Sequence, residues 1–369
     1  MAIEVSIIVP CRNEVSAIAA TVDSIRSQDP IDGDFEVIVA DGMSDDGTRE
    51  ILSQLAAADP RIIMVDNPEG IVSTGLNRAI RQAQGKIIIR MDAHTTYACD
   101  YIRCCVEALS EIHADNVGGP WVARGEGVIG RAIAAAFGSR FAAGGARSHD
   151  SQYQGIVDSV YLGCWRRELF ERVGFFDEEL VRNQDDEFNL RITRQGGKVW
   201  QSPKIKSVYS SRSSLRGLFR QYLQYGYWKV RVLQKHKIPA SVRHLVPAAF
   251  LVALASLPVV GLWYELARWL WGGLIGVYLT LLLLASFVTA RREGNELFLS
   301  LPLIFACFHI GYGLGFLHGI FDFVILRRGG DSRYVALTRE QTSNTEPKGC
   351  VVSSTEERSN KATKYPKRA

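Results

Sequence analysis

The sequence predicts an α/β domain with a mainly parallel sheet, followed by membrane-crossing helices. Three observations carry this reading. Short apolar runs alternate with amphipathic stretches through residues 1 to about 240. Residues 245–326 are almost continuously apolar. The two patterns meet near residue 240, which divides the 369 residues into a domain at 1–240, an apolar region at 245–326 and a polar tail at 331–369. A chain of this length can bury a sizeable core and still form two regions.

VSIIVP (5–10) reads as a buried strand and residues 15–28 as a helix. FEVIVA (35–40) and a helix over 48–58 follow, then RIIMVD (61–66), a helix over 73–84 and KIIIRMD (86–92). Strands apolar on both faces need helices on both sides, which implies a parallel sheet built from βα units. Ligands of such sheets bind beyond the carboxyl ends of the strands. None of the turns after these four strands carries GxGxxG, and GxxxxGK[ST] does not occur, so neither a dinucleotide fingerprint at the start of this sheet nor a P-loop is available.

In the second region, residues 245–263, 269–290 and 297–326 each approach or exceed the roughly 20 residues that cross a bilayer. Soluble helices keep a polar face, and these do not. Placing the basic stretch 229–243 in the cytoplasm puts Arg291 and Arg292 on the same side, which suits two crossings. A third crossing would carry Arg327 and Arg328 outside, so segment 297–326 either crosses against the charge rule or bends back. Residues 331–369, rich in Ser, Thr, Glu and Lys, read as a disordered tail.

Composition narrows the function. A net charge of +4 is too small to make nucleic acid the main partner. Seven cysteines, an odd number without a CxxC pair, suggest neither a disulfide framework nor a zinc site, and fit a reducing cytosol. MAIEVSIIVPCRNE has an acid where a signal peptide has basic residues, so the first domain is expected in the cytoplasm.

The strand ends hold the chemistry. DGMSDDGT (41–48) places Asp41 at the edge of the second strand, pointing into the crevice as a ligand-binding carboxylate, while Ser44, Asp45 and Thr48 serve equally well as turn and cap residues. Asp92 and His94, two apart in an extended chain, share one face and can share one divalent cation; an Asp N-cap beside a surface His is the plainer alternative. Between 212 and 237, Leu215, Leu218, Phe219, Tyr222, Tyr225, Trp228 and Val232 recur at helical spacing with Arg and Lys on the other faces. This is the pattern of an amphipathic helix lying on an anionic membrane, or of a docking helix with a basic surface.

VSIIVPCRNE, DGMSDDGT and GLNRAIRQAQGKIIIRMDAH together resemble the nucleotide-sugar-binding half of a family 2 glycosyltransferase with the GT-A fold, and with the motifs below the resemblance covers about residues 3–235. It implies a UDP-sugar donor held by Pro10, Arg12, Glu14, Asp41 and Asp92, with Asp41 on the uracil or its ribose. It also implies a divalent cation, Mn²⁺ or Mg²⁺, at Asp92 and His94. The usual DxD is DAH here, and imidazole suits Mn²⁺ better than Mg²⁺. YLGCWRRELFERVGFFDEEL (161–180) resembles the acceptor-side segment, with Phe175 where a Gly is usual.

VRNQDDEFNLRI (181–192) resembles the motif that carries the catalytic aspartate, which falls on Asp185, with Gln184 where Glu is common. Inverting sugar transfer needs a carboxylate beside the acceptor hydroxyl; as an alternative, Asp185 and Asp186 are helix-start residues favoured by the dipole. Gln184, Asp186, Gln221, Gln224 and Tyr225 fall on the acceptor or product side. Processive members carry QxxRW where this chain has QYLQY, which counts against a polymer-threading synthase.

RMDAHTTY, RNQDDEFNLR, RQYLQYGYW and the apolar C-terminal helices together resemble the succinoglycan-biosynthesis glucosyltransferase group of the family. That resemblance implies a multi-pass enzyme of the cytoplasmic membrane, passing a hexose from a UDP-sugar to a polyprenyl-diphosphate-linked saccharide. The Gly-rich residues 138–155 read as a closing loop or a passive one. A processive synthase, and a catalytically silent nucleotide-binding scaffold suggested by Gln184 and His94, are the alternatives.

Overall fold

The computed structural model describes residues 3–237, 242–330 and Tyr334. Three βα units and a fourth strand run β1 (Ile3–Cys11), α1 (Ile18–Arg26), β2 (Asp34–Asp41), α2 (Thr48–Ala58), β3 (Ile62–Asp66), α3 (Val72–Gln82) and β4 (Ile87–Arg90). There follow β5 (Thr95–Tyr97), α4 (Tyr101–Ile112), β6 (Asn116–Gly119), β7 (Ala123–Arg124), α5 (Gly127–Phe137) and α6 (Arg140–Ala143). The domain closes with β8 (Gly155–Ile156), β9 (Tyr161–Arg166), α7 (Leu169–Val173), α8 (Gln184–Arg194), β10 (Val199–Gln201), β11 (Ser207–Ser210) and α9 (Leu215–His236).

The strands form an eight-stranded sheet in the order β3-β2-β1-β4-β9-β6-β10-β8 and a three-stranded sheet β5-β11-β7. The first half is parallel, with Ile7 paired to Val37 on one side and Ile89 on the other. β9 runs antiparallel between β4 and β6, so the sheet is mixed on its second side. Alternation along β1 sends Val5, Ile7 and Val9 to one core with Ile18, Val22 and Ile25 of α1, and Ile8 to the other with Leu76 and Ile80 of α3. Each such buried aliphatic side chain contributes roughly 1.5–3 kcal/mol, and together they fix the register.

Two boundaries differ from expectation. α1 begins at Ile18 because residues 13–17 form a turn in which the Glu14 carbonyl accepts from both Ala17 N and Ile18 N, with Asn13 left-handed at φ 54°. β4 stops at Arg90, and the chain turns at Ala93 and His94, where Thr95 N donates to the Asp92 carbonyl at 3.2 Å. The extended geometry that would place Asp92 and His94 on one strand face is therefore absent.

After α9 come α10 (Val246–Val260), α11 (Glu265–Glu293) and α12 (Leu301–Gly319), the last continued by a π-helical turn at Ile320–Ile325. Three spans, Val242–Val260, Glu265–Glu293 and Leu301–Ile325, are long and apolar enough to cross a membrane. The segment expected to cross or bend back is thus one uninterrupted helix. The reading of α9 as a helix lying on lipid is corrected. Leu218, Tyr227, Trp228 and Val232 are buried by protein, and α12 covers them. The crossing is close because it is lined with glycine: a Cβ on Gly226 would meet the carbonyl oxygen of Tyr312, and one on Gly315 that of Leu223. The disordered-tail expectation for 331–369 falls outside the described residues except at Tyr334, which stacks on Tyr227 at 3.9 Å. Cys11, Cys104, Cys105, Cys164 and Cys307 are free thiols.

Candidate active site

The loops after β1 and β2 meet at the carboxyl edge of the sheet. Asn13 and Asp45 exchange hydrogen bonds, Nδ2 to Oδ1 at 2.9 Å and Asp45 N to Oδ1 at 3.0 Å. Asn13 N donates to Ser44 Oγ at 2.8 Å and Glu14 N to Thr48 Oγ1 at 2.9 Å. Ser44, Asp45 and Thr48 therefore lock one loop to the other, and Pro10, Arg12 and Glu14 are left lining the cleft. Asp41 departs from its expected place. Its carboxylate is fully buried, accepts from Ser44 Oγ at 2.5 Å and Ser44 N at 3.1 Å, and pairs with Arg49 Nη1 at 2.5 Å. It shapes the turn and lies behind the cleft wall.

The centre of the site is built around Arg90, the last residue of β4. Its Nε and Nη2 donate to the two oxygens of Asp92 at 2.8 and 3.0 Å, and its Nη1 donates to Asp185 Oδ1 at 2.6 Å. One buried guanidinium thus bridges the strand-end carboxylate and the carboxylate at the start of α8, 95 residues later. Burial opposes the charge on Arg90, but Asp185 and Asp92 more than offset this and hold its pKa above the usual arginine value. Burial raises the Asp185 carboxyl above the ordinary aspartate value, only partly countered by Arg90, with Asp92 and Asp186 pushing the same way as burial. Tyr97 braces the turn, its hydroxyl accepting from Asp92 N at 2.5 Å and donating to the Asp92 carbonyl at 3.0 Å.

His94 lines the same cleft, with Nδ1 3.3 Å from Glu14 Oε1. Among the described residues no group of three or more His, Cys, Asp or Glu side chains forms a closed metal cage. A cation that shares a diphosphate needs only one or two protein ligands, the remaining positions being filled by phosphate oxygens and water. Asp92 retains acceptor capacity beyond its two bonds to Arg90, because a carboxylate offers about four lone-pair sites. Asp92 and His94 thus offer the cleft an oxygen and an imidazole nitrogen, donor types that a hard or borderline divalent ion takes.

α8 supplies the opposite wall. Its N-cap, Asn183, is left-handed at φ 62° and donates from Nδ2 to the Tyr225 carbonyl at 2.8 Å, tying α8 to α9. Gln184, Asp185 and Asp186 all line the cleft. Asp186 pairs with the buried Lys229 at 2.6 Å; burial pushes its carboxyl up, but the ammonium outweighs burial and leaves it below the usual range. Glu187 is buried against Arg191 and His236. Gln221 donates to the hydroxyls of Tyr209 and Tyr225 at 3.3 and 3.0 Å, and Gln221 and Tyr225 line the cleft. Gln224 is fully buried behind it and accepts from Arg182 Nε at 3.2 Å.

Residues 138–155 are neither a free lid nor a bystander. Phe141, Ser148 and His149 form cleft wall, and Trp121 is stacked between His149 (5.3 Å) and Tyr161 (5.4 Å). Burial drops the His149 pKa to about 4, which keeps it neutral at pH 7. The cleft measures about 1770 Å³ and runs from Pro10 past Asp92 and Asp185 to Pro247 of α10 and Phe308, His309 and Tyr312 of α12. That is more than one small ligand requires. Sequence reasoning missed Arg90, Trp121 and Lys229. Only Arg90 left a signal, a charge inside an apolar strand.

The glycosyl transferase family 2 model matches residues 6–174. Succinoglycan biosynthesis protein ExoA of Rhizobium meliloti is 31% identical over 86% of this chain and 95% of its own length. A Methanococcus voltae protein named dolichyl N-acetyl-alpha-D-glucosaminyl phosphate 3-beta-D-2,3-diacetamido-2,3-dideoxy-beta-D-glucuronosyltransferase is 25% identical over 86% of this chain and 97% of its own. The mannosyltransferase PcManGT of Pyrobaculum calidifontis, solved with GDP-Man and Mn²⁺, shares the fold with a TM-score of 0.59 at 20% identity, covering 86% of this chain and 88% of that one.

Proposed function

The chain belongs to glycosyl transferase family 2 and carries its GT-A fold, and we propose that it is a membrane-bound inverting enzyme that transfers a hexose from a UDP-sugar to a polyprenyl-diphosphate-linked saccharide. The setting is exopolysaccharide or other cell-surface glycan synthesis at the cytoplasmic membrane, with the catalytic domain in the cytoplasm. The observation that carries this reading is the single cleft that joins the Asp92–Arg90–Asp185 bridge to α10 and α12. A nucleotide sugar entering from the loop edge and a lipid-linked sugar arriving along the apolar helices would meet at that bridge. Succinoglycan in the name of one relative and a dolichyl-linked phosphate in that of another support the biosynthetic setting and the lipid-linked acceptor.

Asp185 is the base. Its carboxylate takes the proton of the acceptor hydroxyl while that oxygen attacks the anomeric carbon from the face opposite the diphosphate, and the bond from that carbon to the diphosphate oxygen breaks. An α-linked donor then gives a β-linked product. Burial suits Asp185 to the task, because a raised pKa makes it a stronger base than an ordinary carboxylate. Arg90 holds Asp185 and Asp92 in fixed relation, and Gln184, Asp186, Gln221 and Tyr225 form the acceptor-side wall. A divalent cation, held by Asp92 and His94, supplies charge neutralisation for the departing diphosphate when bound. Arg12, Pro10 and Glu14 bound the nucleotide end.

The test is a screen of UDP- and GDP-sugars against the full chain in bilayers that contain a bacterial lipid extract. The expected result is nucleotide release that depends on the extract, with one β-linked sugar added per lipid. Long-chain product would indicate a processive synthase. No release with any donor, or an α-linked product, contradicts the proposal.

A further inference from the structure

Arg182 lines the cleft three residues before Asp185. Its Nε donates to Gln224 Oε1 at 3.2 Å and its Nη1 to its neighbour's carbonyl, Val181 O, at 3.2 Å. Among the described residues no carboxylate pairs with it, and Nη2 carries no hydrogen bond. Of the carboxylates lining the cleft, Asp92 and Asp185 pair with Arg90, Asp186 with Lys229 and Asp158 with Arg243. Arg212 lines the same cleft. Burial holds the Arg182 pKa below the usual arginine value, and the positive charges of Arg212 and Arg220 add to that effect.

Withdrawing a guanidinium from water without a carboxylate is costly, and the cost is relieved when an anion takes its place. Gln224, fully buried on α9, fixes the side chain in advance. A planar guanidinium with a free edge, reinforced by a second arginine, matches the oxygens of a phosphate group. We propose that Arg182, with Arg212 beside it, forms a subsite for a diphosphate, separate from the donors offered by Asp92 and His94. Under the glycosyltransferase reading on which this source assignment rests, the diphosphate belongs either to the nucleotide or to the lipid carrier.

The experiment uses the full chain in nanodiscs with a chelator present, so that cation-dependent binding is absent. Inorganic pyrophosphate, UDP, and a polyprenyl diphosphate compared with the matching polyprenol are titrated against the parent, Arg182→Gln and Arg182→Lys. The parent is expected to bind pyrophosphate. Arg182→Gln should lose roughly ten- to hundredfold, the range set by a charge-assisted hydrogen bond, and Arg182→Lys should recover part of it. A parallel loss for UDP assigns the subsite to the donor; a loss of the preference for polyprenyl diphosphate over polyprenol assigns it to the acceptor. Failure of the parent to bind pyrophosphate, or parental affinity of Arg182→Gln for all three diphosphates, overturns the proposal. Pyrophosphate binding is read without turnover, so the subsite stands or falls separately from the transfer reaction. Thermal unfolding of each variant shows whether it is folded, and the parent titration decides the matter if Arg182→Gln is not.

Discussion

Arg90 sets the relation between the two carboxylates of the site, because its one guanidinium donates to both Asp92 and Asp185 at 2.6–3.0 Å. Lysine keeps the charge but lacks the planar fork, so Arg90→Lys cannot hold both partners. Asp185, already raised by burial, then loses part of the cation that opposes that rise. Because transfer needs the deprotonated carboxylate, the acidic limb of the kcat/KM profile should move to higher pH in Arg90→Lys. An unmoved limb would show that Arg90 does not tune the base. At His94, protonation removes the lone pair a metal needs. His94→Ala should therefore raise the Mn²⁺ concentration required for activity, and His94→Asp should restore activity, improve the use of Mg²⁺ and extend the active range to lower pH. Parental metal dependence in His94→Ala would reduce the residue to a bystander. Asp92 and His94 drew attention by their types at a strand end and Asp185 by its match to the family motif, and the fold brings the three to one cleft. Asp41 was misplaced because sequence gives position along a strand but not the partners, Ser44 and Arg49, that draw a side chain inward.

At the scale of elements, the crossing of α9 and α12 joins the catalytic domain to the apolar helices. Alanine is the better helix former by about 1 kcal/mol, so a Gly→Ala change with room for the methyl should not destabilise. Gly273 of α11 has such room. At Gly226 the methyl meets the Tyr312 backbone, which cannot rotate away, and overpacking of this kind costs roughly 1–3 kcal/mol. Gly226→Ala should lower the thermal unfolding temperature in lipid while Gly273→Ala does not; equal behaviour of the two would refute the tight crossing. The periodicity of residues 215–236 disclosed an apolar face but could not say what covers it, since lipid and an apolar helix demand the same side chains. The glycines of FHIGYGLGFLHG were the missed signal of a helix that packs closely.

For the whole molecule, the division into an α/β domain and three apolar spans was legible because composition changes sharply near residue 240. The cleft that unites them was not, as it is formed by residues from Pro10 to Tyr312 that only the fold assembles. A chain ending at residue 237 would lose the cover on Tyr227, Trp228 and Leu223. It should purify as aggregate in the absence of detergent, because an uncovered apolar face of that kind seeks another surface; a monodisperse monomer would contradict the shared core. The reaction itself is isolated by Asp185→Asn in the full chain, since the amide keeps the shape of the carboxylate and loses its basicity. Single-turnover transfer and donor affinity are to be measured on the same preparation. The expected result is a rate lower by about 10²–10⁴ with parental affinity for the nucleotide sugar. A variant that transfers at the parental rate, or whose donor affinity falls in step with its rate, would contradict the assignment of Asp185 as the base.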